Sequence, residues 1–345
     1  MTNFWVREEA RANEARVGVT PQGAAHLISK GHSVTVEDDP TRAIRIEQYR
    51  EVGADIVRAG SWRTAPAETV ICGLKELPDD GTPLTHRHIM FGHAYKGQPE
   101  GAVLLERFKT GGGTLLDLEY LTDAAGRRVA AFGVWAGFAG AAVSLQAWAA
   151  QQKGVGCPVG QVYASSDEMT DAVAEELSGR KPSVIIIGAL GRVGSGARDL
   201  CDRLDLNVTA WDMAETASGG PFPEILDHDV FLNCILASPG VPVFVPESAK
   251  SAQRRLSVIG DIACDPSSDF SPIKLYDSVT TWEAPVYTAC EDPLLQVMAI
   301  DNLPSMLPAE ASDDFASQLL PHLLSFDSDP DGVWQRAEAV FRAHL

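Results

Sequence analysis

The chain has no long apolar run, no basic tract and no closely spaced cysteine pair, and each absence removes a class of function. No stretch of its 345 residues reaches the roughly 18 continuous apolar positions that a membrane-spanning helix needs. No membrane partner is therefore expected. The first residues, Met-Thr-Asn-Phe-Trp-Val-Arg-Glu-Glu, carry acids early and lack the apolar core of a signal peptide. A cytoplasmic location is expected. Basic residues number 28 against 47 acids, for a net charge of −19, and none form a long run. Nucleic acid is thus not an expected partner. The charge instead keeps a soluble chain dispersed. Six cysteines (Cys72, Cys157, Cys201, Cys234, Cys264 and Cys290) show no C-x-x-C spacing. They read as buried thiols of a reducing cytosol, and neither a metal site nor a disulfide framework is expected. Repeats and low-complexity tracts are also missing, and the sequence sets no oligomeric state.

What is present centres on residues 184–212. A short apolar run enters Gly188-Ala-Leu-Gly-Arg-Val-Gly, a helical pattern follows, and a second apolar run ends at Asp212. This is a strand, a tight glycine turn, a helix and a second parallel strand, the unit that binds dinucleotides. Glycine lets the backbone turn sharply and approach a pyrophosphate. The helix N-terminus offers unpaired N–H groups to the phosphates. Asp212 stands where a ribose 2′-hydroxyl would be met and would repel a 2′-phosphate, which favours NAD over NADP. The spacing is G-x-x-G-x-x-G (Gly188, Gly191, Gly194), not the commoner G-x-G-x-x-G. A glycine turn that only packs a helix on a sheet is the alternative. Thr216 lies where it would shape the adenosine side.

The length favours two domains. The first begins with a strand at residues 4–7. In residues 14–21, Thr20 is a good N-cap and Pro21 suits the first helical position. Arg16 falls on the loop before that helix, either as an exposed surface arginine or as a bidentate carboxylate holder. An apolar strand from residue 69 ends in Lys75-Glu76 and is stopped by Pro78. A second, from residue 88, ends in His93-Ala-Tyr-Lys96, followed by Gln98. Strand ends of open parallel sheets face the ligand crevice. There Lys75 can serve as a general base if its pKa is lowered. His93 is either a satisfied core histidine or a proton carrier. His86 and His88 flank an arginine in a polar turn and are expected to be solvated. Period two along residues 114–121 places Asp117 and Glu119 on one strand face. A small-residue helix over residues 135–151 reads as the connector between domains. Further buried strands read over residues 229–236 and 256–265, the second with acids at Asp261 and Asp265. Asp301 is a candidate cap in a proline-bracketed turn. Helices over residues 309–326 and 332–344 are expected to return to the first domain.

Together these motifs resemble the NAD-dependent, lysine-forming saccharopine dehydrogenase family. The segments are Glu14-Ala-Arg-Val-Gly-Val-Thr-Pro, Ala59-Gly-Ser-Trp-Arg-Thr-Ala-Pro, Gly73-Leu-Lys-Glu, His93-Ala-Tyr-Lys and Gly113-Thr-Leu-Leu-Asp-Leu-Glu. To these add Gly126-Arg-Arg-Val-Ala-Ala-Phe-Gly, Ile187-Gly-Ala-Leu-Gly-Arg-Val-Gly-Ser-Gly, Gly219-Gly-Pro-Phe and Ile300-Asp-Asn-Leu-Pro-Ser-Met-Leu-Pro. The resemblance implies the architecture of alanine dehydrogenase and transhydrogenase: an α/β fold of two Rossmann-like domains, with parallel sheets around a central cleft. The substrate domain would be residues 1–133 plus 306–345, and the NAD domain residues 134–305. It implies that saccharopine, NAD and water give L-lysine, 2-oxoglutarate and NADH, reversibly. By resemblance Lys75 is the amine base, His93 the acid–base group of imine hydrolysis, and Glu76 and Glu119 the carboxylates that tune them. Arg16, Lys96, Gln98, Arg127, Arg128 and Phe132 fall around the substrate. Gly188, Gly191, Arg192, Val193, Asp212, Thr216, Leu236, Asp261, Ile300, Asp301, Asn302 and Leu303 fall on the cofactor side.

The chain departs from the fungal pattern at Val193 and Leu236, where a cysteine and a tyrosine stand, and at Asn302, where a histidine stands. These positions lie on the cofactor side and leave the acid–base pair intact. A related dehydrogenase with a different amine or 2-oxo acid, and a non-catalytic NAD-binding protein, are the rival readings.

Overall fold

The computed structural model describes residues 1–345 apart from Gln98, Ala237 and Ser267. The chain divides into two compact units, one of Met1–Ala131 with Pro308–Leu345, the other of Phe132–Leu307.

Unit one contains β1 (Asn3–Val6), α1 (Pro21–Ser29), β2 (Ser33–Asp38), α2 (Ile46–Glu51), β3 (Asp55–Arg58), β4 (Val70–Cys72), β5 (Arg87–Met90), α3 (Pro99–Gly111) and β6 (Thr114–Asp117). The strands order as β3-β2-β1-β4-β5-β6, and every pairing is parallel. The chain lays β2 and β3 to one side of β1, then returns to its other side with β4. That reversal, between β1 and β4, is where open α/β sheets leave a ligand crevice. Helix α1 starts as its sequence predicts: Thr20 Oγ1 accepts from the Gly23 N–H at 3.3 Å, and Pro21 opens the helix.

Unit two contains α4 (Gly133–Lys153), α5 (Ser166–Leu177), β7 (Val184–Ile187), α6 (Arg192–Arg203), β8 (Val208–Trp211), α7 (Met213–Thr216), β9 (Val230–Asn233), β10 (Val258–Asp261), β11 (Tyr287–Glu291) and β12 (Leu294–Met298). Its order is β11-β12-β10-β9-β7-β8, parallel except for β11 against β12. Here the reversal lies between β7 and β9. Alternation along β7 splits its side chains between two cores. Val184 and Ile186 join Phe138, Leu145 and Leu200 on one face, and Ile185 and Ile187 join Phe222 and Phe244 on the other. The last helices, α8 (Pro308–Leu324) and α9 (Val333–Ala343), belong to unit one. The expected α/β class with two mostly parallel sheets is thus observed.

Four expectations need correction. Helix α4 is no connector: residues 137–150 are buried, packed inside unit two. Its small residues let backbones meet, since a Cβ on Gly137 would sit 1.8 Å from the Val193 carbonyl oxygen. His86 and His88 are 3% and 1% exposed, because Arg87 to Met90 is an inner strand and not a polar turn. The His88 ring lies edge-on to Trp62 and Phe108, and burial pushes its pKa well below the usual value. Asp117 and Glu119 do not share a strand face, because β6 ends at Asp117 and a 3-10 turn begins, capped by the Asp117 carboxylate. Asp301 is not the N-cap residue of the turn that follows: the short 3-10 turn Leu303–Met306 has Asn302 at its N-cap, without a side-chain bond. Strands β3, β11 and β12, the first two at sheet edges, carry too weak a pattern to be read from sequence.

Candidate active site

In unit one the functional side chains come from loops just past the strands. Strand β4 stops at Cys72, and Lys75 and Glu76 follow in the loop. Strand β5 stops at Met90, and His93 follows with φ of 48°, a left-handed backbone that is uncommon outside glycine. The His93 ring stacks on Phe91 and brings Nε2 to 3.3 Å from Glu76 Oε1. Arg11 reaches the other Glu76 oxygen at 4.0 Å. Asp117 underpins the same rim: its two oxygens accept from Gly92 N at 3.2 Å and Glu119 N at 2.9 Å. Burial pushes its carboxyl up to about 6, against the pull of those bonds. Glu119 Oε1 accepts from Lys96 Nζ at 3.0 Å, and its Oε2 is buried with no hydrogen-bond partner among the described residues.

Arg16 is buried, not exposed. Its Nε and Nη2 meet Glu14 Oε1 and Oε2 at 2.8 and 2.6 Å. A guanidinium taken out of water needs such a partner. Burial alone would raise the Glu14 carboxyl. The Arg16 hydrogen bonds and charge, with Lys75 nearby, outweigh burial and hold it below the ordinary range. A small cavity beside these groups is lined by Arg7, Glu9, Arg16, Gly18 and Gly73. Arg127 and Arg128 are exposed on a turn, where Arg127 pairs with Asp123 at 2.9 Å.

In unit two the glycine turn follows β7. Gly188 has φ of 85°, and a Cβ on Gly194 would fall 2.1 Å from the Gly188 carbonyl oxygen. These two shape the turn itself. Gly191 is different: a Cβ there would meet only one atom, at 3.4 Å. Packing does not demand glycine at 191, whereas close approach of a ligand would. Gly191 is the N-cap of α6 and offers no side chain, so the helix opens without a side-chain cap at Arg192. Asp212 follows β8 as the N-cap of α7 and accepts from Leu190 N and Met213 N, each at 2.9 Å. The carboxylate is thereby fixed beside the turn, with lone pairs left for hydroxyl donors. Thr216 Oγ1 donates to the Asp212 carbonyl. Leu190 and Leu236 are exposed apolar side chains in the loops after β7 and β9, and Met213, which opens α7 after β8, is a third.

The comparisons bear on both units. A family model, the alanine dehydrogenase/PNT N-terminal domain, matches residues 5–139. The saccharopine dehydrogenase (NAD(+), L-lysine-forming) of Yarrowia lipolytica is 42% identical over 357 residues, spanning 99% of this chain and 96% of its own. That of Neurospora crassa is 45% identical over 355 residues, spanning 99% and 95%. This chain belongs to the saccharopine dehydrogenase family. A solved L-alanine dehydrogenase superposes with a TM-score of 0.70 over the full length of both chains at 18% identity, a likeness of fold.

Within this chain, the structure draws some candidate residues together and separates others. Lys75, Glu76 and His93 share one rim, and Lys96 and Glu119 form a pair. Phe132 precedes α4 in unit two, although its motif begins in unit one. Gln98 lies outside the described residues. On the cofactor side, Asp261 is buried and accepts from Tyr276 Oη at 2.6 Å and Asn233 Nδ2 at 2.8 Å. Burial holds its carboxyl up at about 6 despite those bonds. Its side chain is thus spent inside the fold. Ile300 and Leu303 are core side chains, 1% exposed each, and offer a ligand their main chain only. Asn302 Oδ1 accepts from Trp282 Nε1 at 3.0 Å, and Asp301 is exposed. Of the six cysteines, all free thiols, only Cys72 and Cys201 are fully buried. Sequence reading missed Arg7 and Glu9, whose bonds converge on the Lys75 main chain; the only signal was a charged pair directly after a strand. No helix among the described residues is long and apolar enough to cross a membrane.

Proposed function

We propose that this chain oxidises L-saccharopine with NAD and water to L-lysine, 2-oxoglutarate and NADH, and catalyses the reverse reaction. The observation that carries the reading is the meeting of Glu76 and His93 at 3.3 Å beside Lys75, in a chain 42% identical over nearly its whole length to an NAD-dependent, lysine-forming saccharopine dehydrogenase. Unit one is the substrate domain and unit two the NAD domain. The free α6 terminus, the open space at Gly191 and the ribose-facing Asp212 fit a dinucleotide. NAD bound there accepts the hydride from the substrate carbon.

The acid–base work falls to unit one. Lys75, neutral at the start, takes the proton from the secondary amine, which frees the nitrogen lone pair to form a C=N bond as hydride departs. His93 then removes a proton from the water that adds to the imine carbon. It later carries the proton that the departing lysine nitrogen needs as the carbinolamine collapses. Glu76, in contact with His93, favours the protonated ring during that transfer. Glu119 neutralises Lys96 at the same rim. Lys96 and Gln98, with Arg127 and Arg128 from the exposed turn, bind the substrate carboxylates. Arg16 orders Glu14 beside Lys75 from its buried seat. Arg192, Val193, Thr216, Leu236 and the 300–303 segment line the cofactor side. A reducing cytoplasmic setting is part of the reading, supported by the free thiols.

The test is a steady-state assay of NADH formation from saccharopine and NAD, with lysine and 2-oxoglutarate quantified as products in equal amounts. Turnover of another amino acid with none of saccharopine would replace the substrate assignment.

A further inference from the structure

Strand β1 ends at Val6, and the next residues place two opposite charges in the crevice between β1 and β4. Arg7 and Glu9 have side chains 1% and 6% exposed and pair at 3.3 Å. A buried ion pair is seldom a net source of stability, because desolvation cancels most of the attraction. What these two side chains bond to is therefore informative. Glu9 Oε1 accepts from Leu74 N at 2.7 Å and Oε2 accepts from Lys75 N at 3.0 Å. Arg7 Nη2 donates to the Lys75 carbonyl, while Nη1 donates to the Glu8 carbonyl at 2.7 Å. One ion pair thus holds Lys75 at both its N–H and its C=O. The ladder between β1 and β4 has ended at Cys72, and on the β5 side the last backbone bond runs from Phe91 N to the Leu74 carbonyl at 2.9 Å, so the pair adds a second hold on the peptide before Lys75 and reaches the one after it.

Gly73 belongs to the same device. A Cβ at that position would lie 2.4 Å from Arg7 Cζ. The glycine of the Gly73-Leu-Lys-Glu motif is there to let the guanidinium pass to the Lys75 carbonyl. Arg42 steadies the Arg7 backbone from behind, donating to the Arg7 and Glu37 carbonyls at 3.3 and 2.8 Å.

We propose that Arg7 and Glu9 are positioning residues for the reaction: together they clamp the Lys75 main chain and so aim its side chain at the substrate amine. The proposal rests on the reading of Lys75 as the amine base. The two peptide planes on either side of Lys75 determine the direction of its Cα–Cβ bond. A four-carbon side chain magnifies any rotation of that bond into a displacement of Nζ.

The decisive variant is Glu9→Gln, which keeps the shape but turns one of the two acceptors into a donor facing an N–H. Saccharopine-dependent kcat should fall about 100-fold, the scale of a misplacement near 1 Å. KM for saccharopine and the Kd for NADH should stay within about twofold, as for an interaction felt only in the transition state. Gly73→Ala, which pushes Arg7 off the Lys75 carbonyl from the opposite side, should give the same split. It carries the test alone if Glu9→Gln does not fold. In a Lys75→Met background, Glu9→Gln should remove no further activity. A kcat near that of the parent protein in both single variants, or an added loss in the Lys75→Met background, would overturn the proposal. If Lys75→Met by itself leaves turnover intact, the base assignment falls and takes the clamp with it. If Lys75→Met abolishes turnover while the Glu9 and Gly73 variants do not, only the clamp falls.

Discussion

Each sheet reverses its strand order once, and the two reversal points carry opposite chemistry. Between β1 and β4 the loops present Arg7, Glu9, Lys75 and Glu76, with His93 arriving from β5. Between β7 and β9 the loops present Gly188, Gly191 and the exposed Leu190 and Leu236, with Arg192 opening α6 and Asp212 just past β8 as nearby charges of opposite sign. The topology at the two points is alike, so the strands do not decide what happens there. Loop composition does. A charged crevice suits proton transfer, whereas a glycine turn at an uncapped helix end suits phosphates.

The largest effect expected on this contrast is from Lys75→Met. It should lower saccharopine oxidation by about 1,000-fold or more while NADH titration stays unchanged. Loss of NADH binding in this variant would break the division of labour.

A second comparison concerns two buried aspartates, Asp117 at the end of β6 and Asp261 at the end of β10, both held up at about 6 by burial. Each binds its proton more tightly folded than unfolded. Its charged form therefore costs stability above pH 6, and stability rises as pH falls from 6 towards the ordinary carboxyl value of 3.8. The penalty at pH 7 is up to about 3 kcal/mol for each. Denaturant unfolding of Asp261→Asn should show a flatter pH dependence between about pH 4 and pH 6 than the parent protein. An unchanged slope would mean that Asp261 is not a source of it.

The glycines of the turn should separate by role. Gly194→Ala should cost about 2 kcal/mol of stability, from overpacking against Gly188. Gly191→Ala should leave the midpoint within about 0.5 kcal/mol and instead raise KM for NAD. If both variants lose only stability, the turn is a packing device. The smallest effect is on cofactor choice: Asp212→Ser should improve NADP relative to NAD by about tenfold through removal of like-charge repulsion. Competition between the two nucleotides measures it.

Much of this was legible beforehand because local chemistry and fold agreed. The apolar run before Gly188, the helix after Gly191 and the acid at 212 can be read in one window of sequence, and Thr20-Pro21 marks a helix start without any partner. Arg7 and Glu9 were invisible for a physical reason. Their partners lie more than 60 positions away, and a sequence does not say which backbone groups a charge will find. The same blindness affected His86 and His88: a strand was read from residue 88, but not the burial of these side chains, since Trp62 and Phe108, which enclose His88, lie at least 20 positions away. Arg16 was read either as an exposed arginine or as a holder of a carboxylate; it is buried, and the carboxylate it holds in the fold is Glu14, two residues earlier. Asp261 was an acid in an apolar strand, placed on the cofactor side by resemblance; the structure puts it at the strand end, with its oxygens accepting from Tyr276 and Asn233.

The contact between α4 and α6 has a mechanical consequence. Gly137 faces the Val193 carbonyl and Gly196 faces that of Val134, so the two helices touch backbone to backbone with no side chain between them. Such a seam has no rotamers through which to relax. Its amide protons should exchange among the slowest in unit two. The helix end that faces the nucleotide turn is thus anchored in the stiffest part of that unit, and thermal softening should begin at the exposed loops after β8 and β9 and reach this seam last.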